Sequence, residues 1–289
     1  MTEPLSRDNH YVPQWYQRGF LVPGTTELYV LDLHPETISI GGGRTKLLDS
    51  PRRRSPSGAF VERDLYTTRF GAFISDEIER KLFGAIDAQG STAVRAYVNG
   101  DAIAMHDAFE NLFEYLDAQK LRTPKGLDWI KARYSGLDQL QLMREMQGLR
   151  MMHCSLWAEG IREIVSAADS EVKFIVSDHP VTVYNPSYPP DSAHCAYPND
   201  PPITLAGTQT VFVLEPNTCL IFTHLEYGSS PVDVKTTAER THARFRGHSL
   251  VRTDAFIRKR KLTRDEVTSV NFLLKSRAAR YIASSNKAW

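Results

Sequence analysis

The chain lacks most of the signatures that would assign a chemistry outright. It has three cysteines, Cys154, Cys195 and Cys219, far apart and with no CxxC pair. That argues against a disulfide framework and a zinc knuckle, and fits a reducing cytoplasm. Net charge is lacking as well: 35 basic residues stand against 34 acidic ones. The balance gives no overall pull toward nucleic acid or an anionic membrane, although a local basic patch stays open. No apolar run reaches bilayer-spanning length, and the opening MTEPLSRDNH carries no apolar signal-peptide core. GxGxxG and GxxxxGK[ST] are missing, which argues against dinucleotide and P-loop sites. HExxH, GxSxG, helix-turn-helix and zinc-finger patterns are missing too. There is no internal repeat and no low-complexity tract.

What is present is an ordinary globular composition, 42% hydrophobic over 289 residues, enough for a sizeable core. The pattern predicts a single α+β domain over 1–289, a helical layer packed on a small, mostly antiparallel sheet. Pro13 in a first turn and Gly19 as a stop predict a short helix over 12–18, with His10 just ahead of it. Alternating residues over 27–33 and 37–40, joined by His34-Pro35-Glu36, predict an N-terminal hairpin. Residues 41–58 read as an exposed loop. Its run Arg52-Arg53-Arg54 is a solvated face rather than a phosphate contact.

Helices are predicted over 75–99, over 106–122 where Thr123-Pro124 stops them, and over 137–167. A last helix over 263–284 opens with the capping box Thr263-x-x-Glu266. Residues 172–176, 211–214 and 219–223 read as buried strands. The Pro-rich stretch 185–207 is long for a loop inside a domain and is expected to be a lid or a disordered insert.

Polar residues where the helical period calls for apolar ones are the best pointers to a site, because an unpaired buried polar group costs about 1–3 kcal/mol. Glu79 lies on the stripe of Ile78, Leu82, Phe83 and Ile86. Gln119 continues the stripe of Phe109, Leu112, Phe113 and Leu116, with Arg122 flanking. His153 sits among Met146, Leu149, Leu156 and Trp157; Asn271 sits among Val267, Val270, Leu274, Ala278 and Tyr281, with Arg280 flanking. Each alone is most simply a satisfied structural group, such as an ion pair between Glu79 and Arg18, Arg122 or Arg280. Together they are either the arms of one polar cleft or several unrelated structural pairs. Asp178 ends the strand at 172–176, either as a catalytic or metal-binding carboxylate or as the Asx turn that closes the strand before Pro180.

The segment Asn9-His10-Tyr11-Val12-Pro13-Gln14-Trp15-Tyr16-Gln17-Arg18-Gly19-Phe20 resembles the opening signature of a widespread bacterial family known only as a domain of unknown function. The resemblance runs in order along nearly the whole chain. Asp64-Leu65-Tyr66 is similar to the family's acid-x-Tyr element, and Glu79 falls at its helix acid. Gln119-x-x-Arg122-Thr123-Pro124 is similar to its Gln-x-x-Arg-Thr-Pro element, and Asn271, Ala278, Arg280 and Tyr281 match its last helix. Phe174 to Pro180 resembles a strand ending in Ser-Asp-Asn-Pro, except that His179 replaces the usual Asn. The resemblance implies no activity, but it marks the positions the stripe argument marks.

Two functions compete. In one, the chain hydrolyses a phosphodiester or a nucleotide, as a nuclease or related phosphoesterase. His10 would be general acid or base; Glu79 and Asp178 would activate water or hold Mg²⁺ or Mn²⁺. Arg18, Arg122 and Arg280 would clamp phosphate oxygens, and Gln14, Gln119 and Asn271 would orient the substrate. In the other, the same residues form a buried lock in a non-enzymatic binding or regulatory protein. A toxin or phage-defence role describes biology rather than chemistry, and no residue bears on it.

Overall fold

A computed structural model describes residues 8–65, 84–205, 207–223 and 257–287. The predicted site acid Glu79 and the helix start at Ser75 lie outside the described residues. The described residues form an α+β fold built on two sheets. The larger has five strands in the order β12-β7-β11-β10-β9: β7 (Ile161–Ser166), β9 (Thr182–Tyr184), β10 (Gln209–Glu215), β11 (Thr218–Thr223) and β12 (Ile257–Lys261). Only β12 and β7 run parallel. The apolar runs of β10 and β11 are buried residue after residue, as strands covered on both faces must be. The smaller sheet has the order β5-β2-β13-β8, from β2 (Leu28–Asp32), β5 (Arg52–Arg54), β8 (Val176–Ser177) and β13 (Tyr281–Ser284), all antiparallel. Two ribbons complete the strands: β1 (Asp8–His10) with β6 (Val61–Arg63), and β3 (Thr37–Gly41) with β4 (Arg44–Leu47).

The helices are α1 (Gln14–Gln17), α2 (Gly84–Asn99), α3 (Ala102–Leu121), α4 (Pro124–Arg133), α5 (Gln139–Glu159) and α6 (Arg264–Arg277). Their starts follow local chemistry. Asp101 accepts the N–H groups of Ile103 and Ala104 to open α3. Thr123 caps α4 by accepting the Gly126 N–H, and Pro124 fills the first helical position. Capping boxes open α5 (Asp138 with Gln141) and α6 (Thr263 with Glu266). At the sharp α3–α4 corner a Cβ on Gly126 would lie 2.3 Å from the Lys120 carbonyl oxygen, so only glycine fits.

Several predicted elements differ from the observed ones. The hairpin is β3–β4, not 27–33 with 37–40, because Gly41, Gly42 and Gly43 supply three positive φ angles at its turn. That frees β2 to pair with β13 and β5. Within 41–58 the arginine run is strand β5, at the edge of a sheet. The helix expected over 137–167 stops at Glu159; Ile161, Ile164 and Val165 pair with β11 and β12 instead. The last helix ends at Arg277, and 281–284 is strand β13. The reason is that the Ala279, Arg280 and Tyr281 N–H groups donate to the Asp178 carboxylate, so they cannot bond back into a helix. Of 172–176 only Val176 is in a strand. Lys173 and Ile175 have their backbone groups bonded to Asn271.

The N-terminal signature is a plug in the core. Tyr11, Val12, Tyr16 and Phe20 are buried. Tyr16 stacks on Phe212 of β10 at 5.3 Å and its hydroxyl donates to the Val213 carbonyl. Trp15 meets Tyr115 of α3 at 5.3 Å. Gln17, wholly buried, donates to the Val12 and Ala59 carbonyls.

Asn271 ties α6 to the chain leading into β8: its Oδ1 accepts the Ile175 N–H at 3.1 Å and its Nδ2 donates to the Lys173 carbonyl at 2.8 Å. Asn271→Ala orphans the buried Ile175 N–H and the half-buried Lys173 carbonyl, at about 1–3 kcal/mol. The expected outcome is a melting temperature roughly 3–10 °C lower by scanning fluorimetry. An unchanged melting temperature would remove this structural role.

Candidate functional site

The residues marked from sequence fall into separate groups rather than one open cleft. His10 Nε2 lies 3.1 Å from the Ser57 carbonyl and 3.3 Å from Gln14 Nε2, and its tautomer selects between the two bonds. Gln119, wholly buried on α3, donates to the Tyr11 carbonyl at 2.8 Å and accepts from Arg122. Arg122 also lies 2.9 Å from Asp87. Arg18 is exposed, on the 3₁₀ turn after α1. Arg280 forms a fork with Asp32 across β13 and β2, its Nη2 2.8 Å from Oδ2. It lines a small 150 Å³ hollow with Arg52 and Arg54.

Asp178 is the sharpest departure from the expected role of water activator or metal ligand. Its Oδ1 accepts the Ala279 N–H at 2.8 Å, and its Oδ2 accepts those of Arg280 and Tyr281 at 2.6 and 2.8 Å. Three of about four acceptor positions are therefore taken by backbone. Burial pushes its pKa up to about 6, against the pull of those three donors and of Lys125. The buried Tyr11 hydroxyl has its pKa raised well above 10.0 by burial and then by the charge of Asp178. The signature and Gln119 therefore meet at the Tyr11 carbonyl. Among the described residues no group of three or more His, Cys, Asp or Glu side chains is placed to hold a metal ion.

The open space lies next door. A cavity of about 540 Å³, in the size range of small-molecule sites, is bounded by the α3–α4 corner, one face of α5, His179 and the stretch 193–204. The stretch expected to be a lid or a disordered insert therefore forms a wall, with Arg277 holding the Cys195 carbonyl at 2.8 Å. Of the residues marked from sequence, His153 and His179 line the cavity.

At its base sits a cluster centred on Asp200, whose side chain is 10% exposed. Lys120 lies 2.6 Å from Asp200, Lys125 lies 2.7 Å away, and Arg277 lies 2.6 Å away. Burial would raise the Asp200 pKa, but Lys120, Lys125 and the bond from His179 overcome it and hold it well below the ordinary carboxylate value. Burial pulls the Lys125 ammonium below its ordinary value, with Asp200 opposing.

His179 is wedged in the same cluster, Nδ1 2.7 Å from Thr123 Oγ1 and Nε2 3.3 Å from Asp200. The ionised Asp200 carboxylate can only accept, so Nε2 carries the proton that bonds to it and Nδ1 accepts from the Thr123 hydroxyl. Burial, only partly offset by Asp200, drives the His179 pKa down to about 3, so the ring is neutral. The formal sum over Lys120, Lys125, Arg277 and Asp200 is three cations against one anion.

Sequence reasoning missed Asp200, Lys120, Lys125, Arg277 and Asp117. For Asp117 a signal was there. It lies four residues after Phe113 on the stripe that marked Gln119, and it is 5% exposed. Asp200 gave none, because a loop residue has no period to violate.

The His179 pKa is depressed in the fold relative to its ordinary 6.5. Its contribution to stability is therefore present above about pH 6.5 and is lost progressively as pH falls toward about 3. His179→Asn keeps a polar group at the position and cannot titrate. Chemical denaturation at stepped pH is expected to show a flatter loss across that window for the variant. Parallel curves would mean that His179 is not the titrating group.

A family model described as "Protein of unknown function (DUF4238)" matches residues 8–153 and 128–288. No curated protein and no solved structure matches. With the two matches spanning almost the entire length, from the strand that opens the signature to the last described strand, the chain belongs to the DUF4238 family.

Proposed function

We propose that the chain is a hydrolase of a phosphate ester or anhydride, a nucleotide or the end of a single-stranded nucleic acid, bound in the 540 Å³ cavity. The observation that carries the reading is the excess of buried cations: Lys120, Lys125 and Arg277 surround the single carboxylate of Asp200. Buried cations in excess are costly unless an anion joins them, and a phosphate supplies that charge with several acceptor oxygens. Lys120 and Lys125 line the space where it would sit. Trp129 and Arg133 add an aromatic–guanidinium surface on the α4 wall, Arg133 lying 5.6 Å from the Trp129 ring centre. Such a surface stacks a nucleobase without selecting its identity.

The volume suits a mononucleotide or a frayed strand end rather than a duplex. Mg²⁺ or Mn²⁺ would arrive on the phosphates, since such ions are commonly held by substrate oxygens and one or two carboxylates. Free cysteines fit a reducing cytoplasm, where nucleotides abound. Among the described residues no helix is long and apolar enough to cross a membrane.

A second reading, a non-enzymatic binding or regulatory protein, is favoured by a specific observation. Gln119, Asp178 and Asn271 bond to the protein's own backbone, as a lock would. The same cavity would then bind its anion without turning it over.

Calorimetry with ATP and with pyrophosphate tests the shared part of both readings. Binding is expected, weakening as salt is raised. Lys120→Gln is expected to raise Kd about tenfold, the loss of one charged contact. Absence of binding by both compounds, or a Kd unmoved by the substitution, would sink the phosphate site.

A further inference from the structure

We propose that His153 is the general base of this site and Asp117 its positioning residue. The inference rests on the reading of the cavity as a phosphate site and names the group that would activate water there.

His153 is a cavity-lining histidine on α5, and its Nδ1 lies 2.7 Å from Asp117 Oδ1. Both side chains are nearly buried, at 6% and 7% exposure. A carboxylate at that distance accepts a hydrogen bond from Nδ1–H and so fixes the tautomer, leaving the lone pair on Nε2. The ring cannot swing away: it stacks on Trp157 at 5.4 Å with a 27° tilt. Trp157 is itself pinned by its indole N–H to Thr210 Oγ1 at 3.0 Å. Nε2 has no protein partner among the described residues. A basic nitrogen, oriented from behind by a buried acid and lining a cavity whose other wall is cationic, is the arrangement that water activation needs.

The other histidines at the cavity do not meet the same conditions. Both ring nitrogens of His179 are engaged, by Thr123 and Asp200. His194 is exposed and packs edge-on against Tyr188 at 4.4 Å, with no carboxylate partner among the described residues. His10 lies outside the lining, bonded near Ser57 and Gln14.

The step balances without a redox partner. Water gives a proton to His153 Nε2 as its oxygen forms a bond to phosphorus. The phosphorus–oxygen bond to the leaving group breaks, and the leaving oxygen departs with the electron pair. Asp117 stabilises the imidazolium until its proton passes to the leaving oxygen or to bulk water. Lys120 and Lys125 neutralise charge on the phosphoryl oxygens.

The test uses the full chain and p-nitrophenyl phosphate, bis-p-nitrophenyl phosphate, ATP and pyrophosphate, each with and without Mg²⁺. On whichever compound is hydrolysed, His153→Gln is expected to lower kcat about 10²–10⁴-fold while KM stays within about threefold. His153→Ala is expected to recover activity with added imidazole, a rescue that a merely structural histidine would not show. Asp117→Asn is expected to lower kcat with KM preserved. Turnover that survives His153→Gln within about threefold, or His153→Ala without imidazole rescue, overturns the assignment and leaves the phosphate site standing. Binding of pyrophosphate that Lys120→Gln weakens, with no turnover of any compound, also overturns the general base and favours the binding-protein reading. Neither binding nor turnover sinks the phosphate site and the general base together.

Discussion

The carboxylate of Asp200 lies within 2.7 Å of Lys120 on α3, Lys125 on α4 and Arg277 on α6, and 3.3 Å from His179 beyond β8. Asp200 itself belongs to the long stretch before β10. Five separate parts of the chain therefore converge on one carboxyl group. Without it, three nearly buried cations would face one another, and an uncompensated buried charge costs several kcal/mol. The constraint works in both directions. Asp200 holds the stretch 193–204 against the helices, and the cations keep Asp200 ionised although burial opposes this. A cavity wall made from a loop with little regular structure is stable only under such a tether.

A second junction stands behind the first. Tyr11 is held through its carbonyl by Gln119, and the charge of Asp178 adds to burial in keeping its hydroxyl protonated. Asp178 in turn takes the N–H groups that would have continued α6, and so turns the chain into β13. Gln119 and Lys120 are adjacent on α3, one facing the signature and one the cavity. The signature thus contributes through packing and backbone bonds and lends no residue to the cavity's lining. Its aromatic residues pack against Tyr115 and stack on Phe212, which places α3 and β10 relative to each other.

Much of the fold was legible where the chemistry is local. The capping box at Thr263, the helix stop at Thr123-Pro124 and the buried strands at 211–214 and 219–223 depend on neighbours in sequence, and all are observed. The misplaced elements share a cause. Residues 161–166 and 281–284 continue helices by period, yet each becomes a strand because a partner strand distant in sequence offers a ladder. Polar residues on apolar stripes were legible as buried. Whether each was structural or faced open space was not, because the partner decides it: backbone for Asn271, Asp117 for His153.

The sequence by itself determined the α+β class, the cap at Thr263, the helix stop at Thr123-Pro124, and the burial of Gln119, His153 and Asn271, because propensity, capping and periodicity act over a few residues. Only the tertiary structure decided that His10 and Asp178 stay out of the cavity's lining, and that Lys120, Lys125, Arg277 and Asp200 gather in one cluster beside it. Coulombic and hydrogen-bond partners are chosen by distance in space. Asp200 stands 80 positions from Lys120 and 77 from Arg277, a separation that no local pattern encodes.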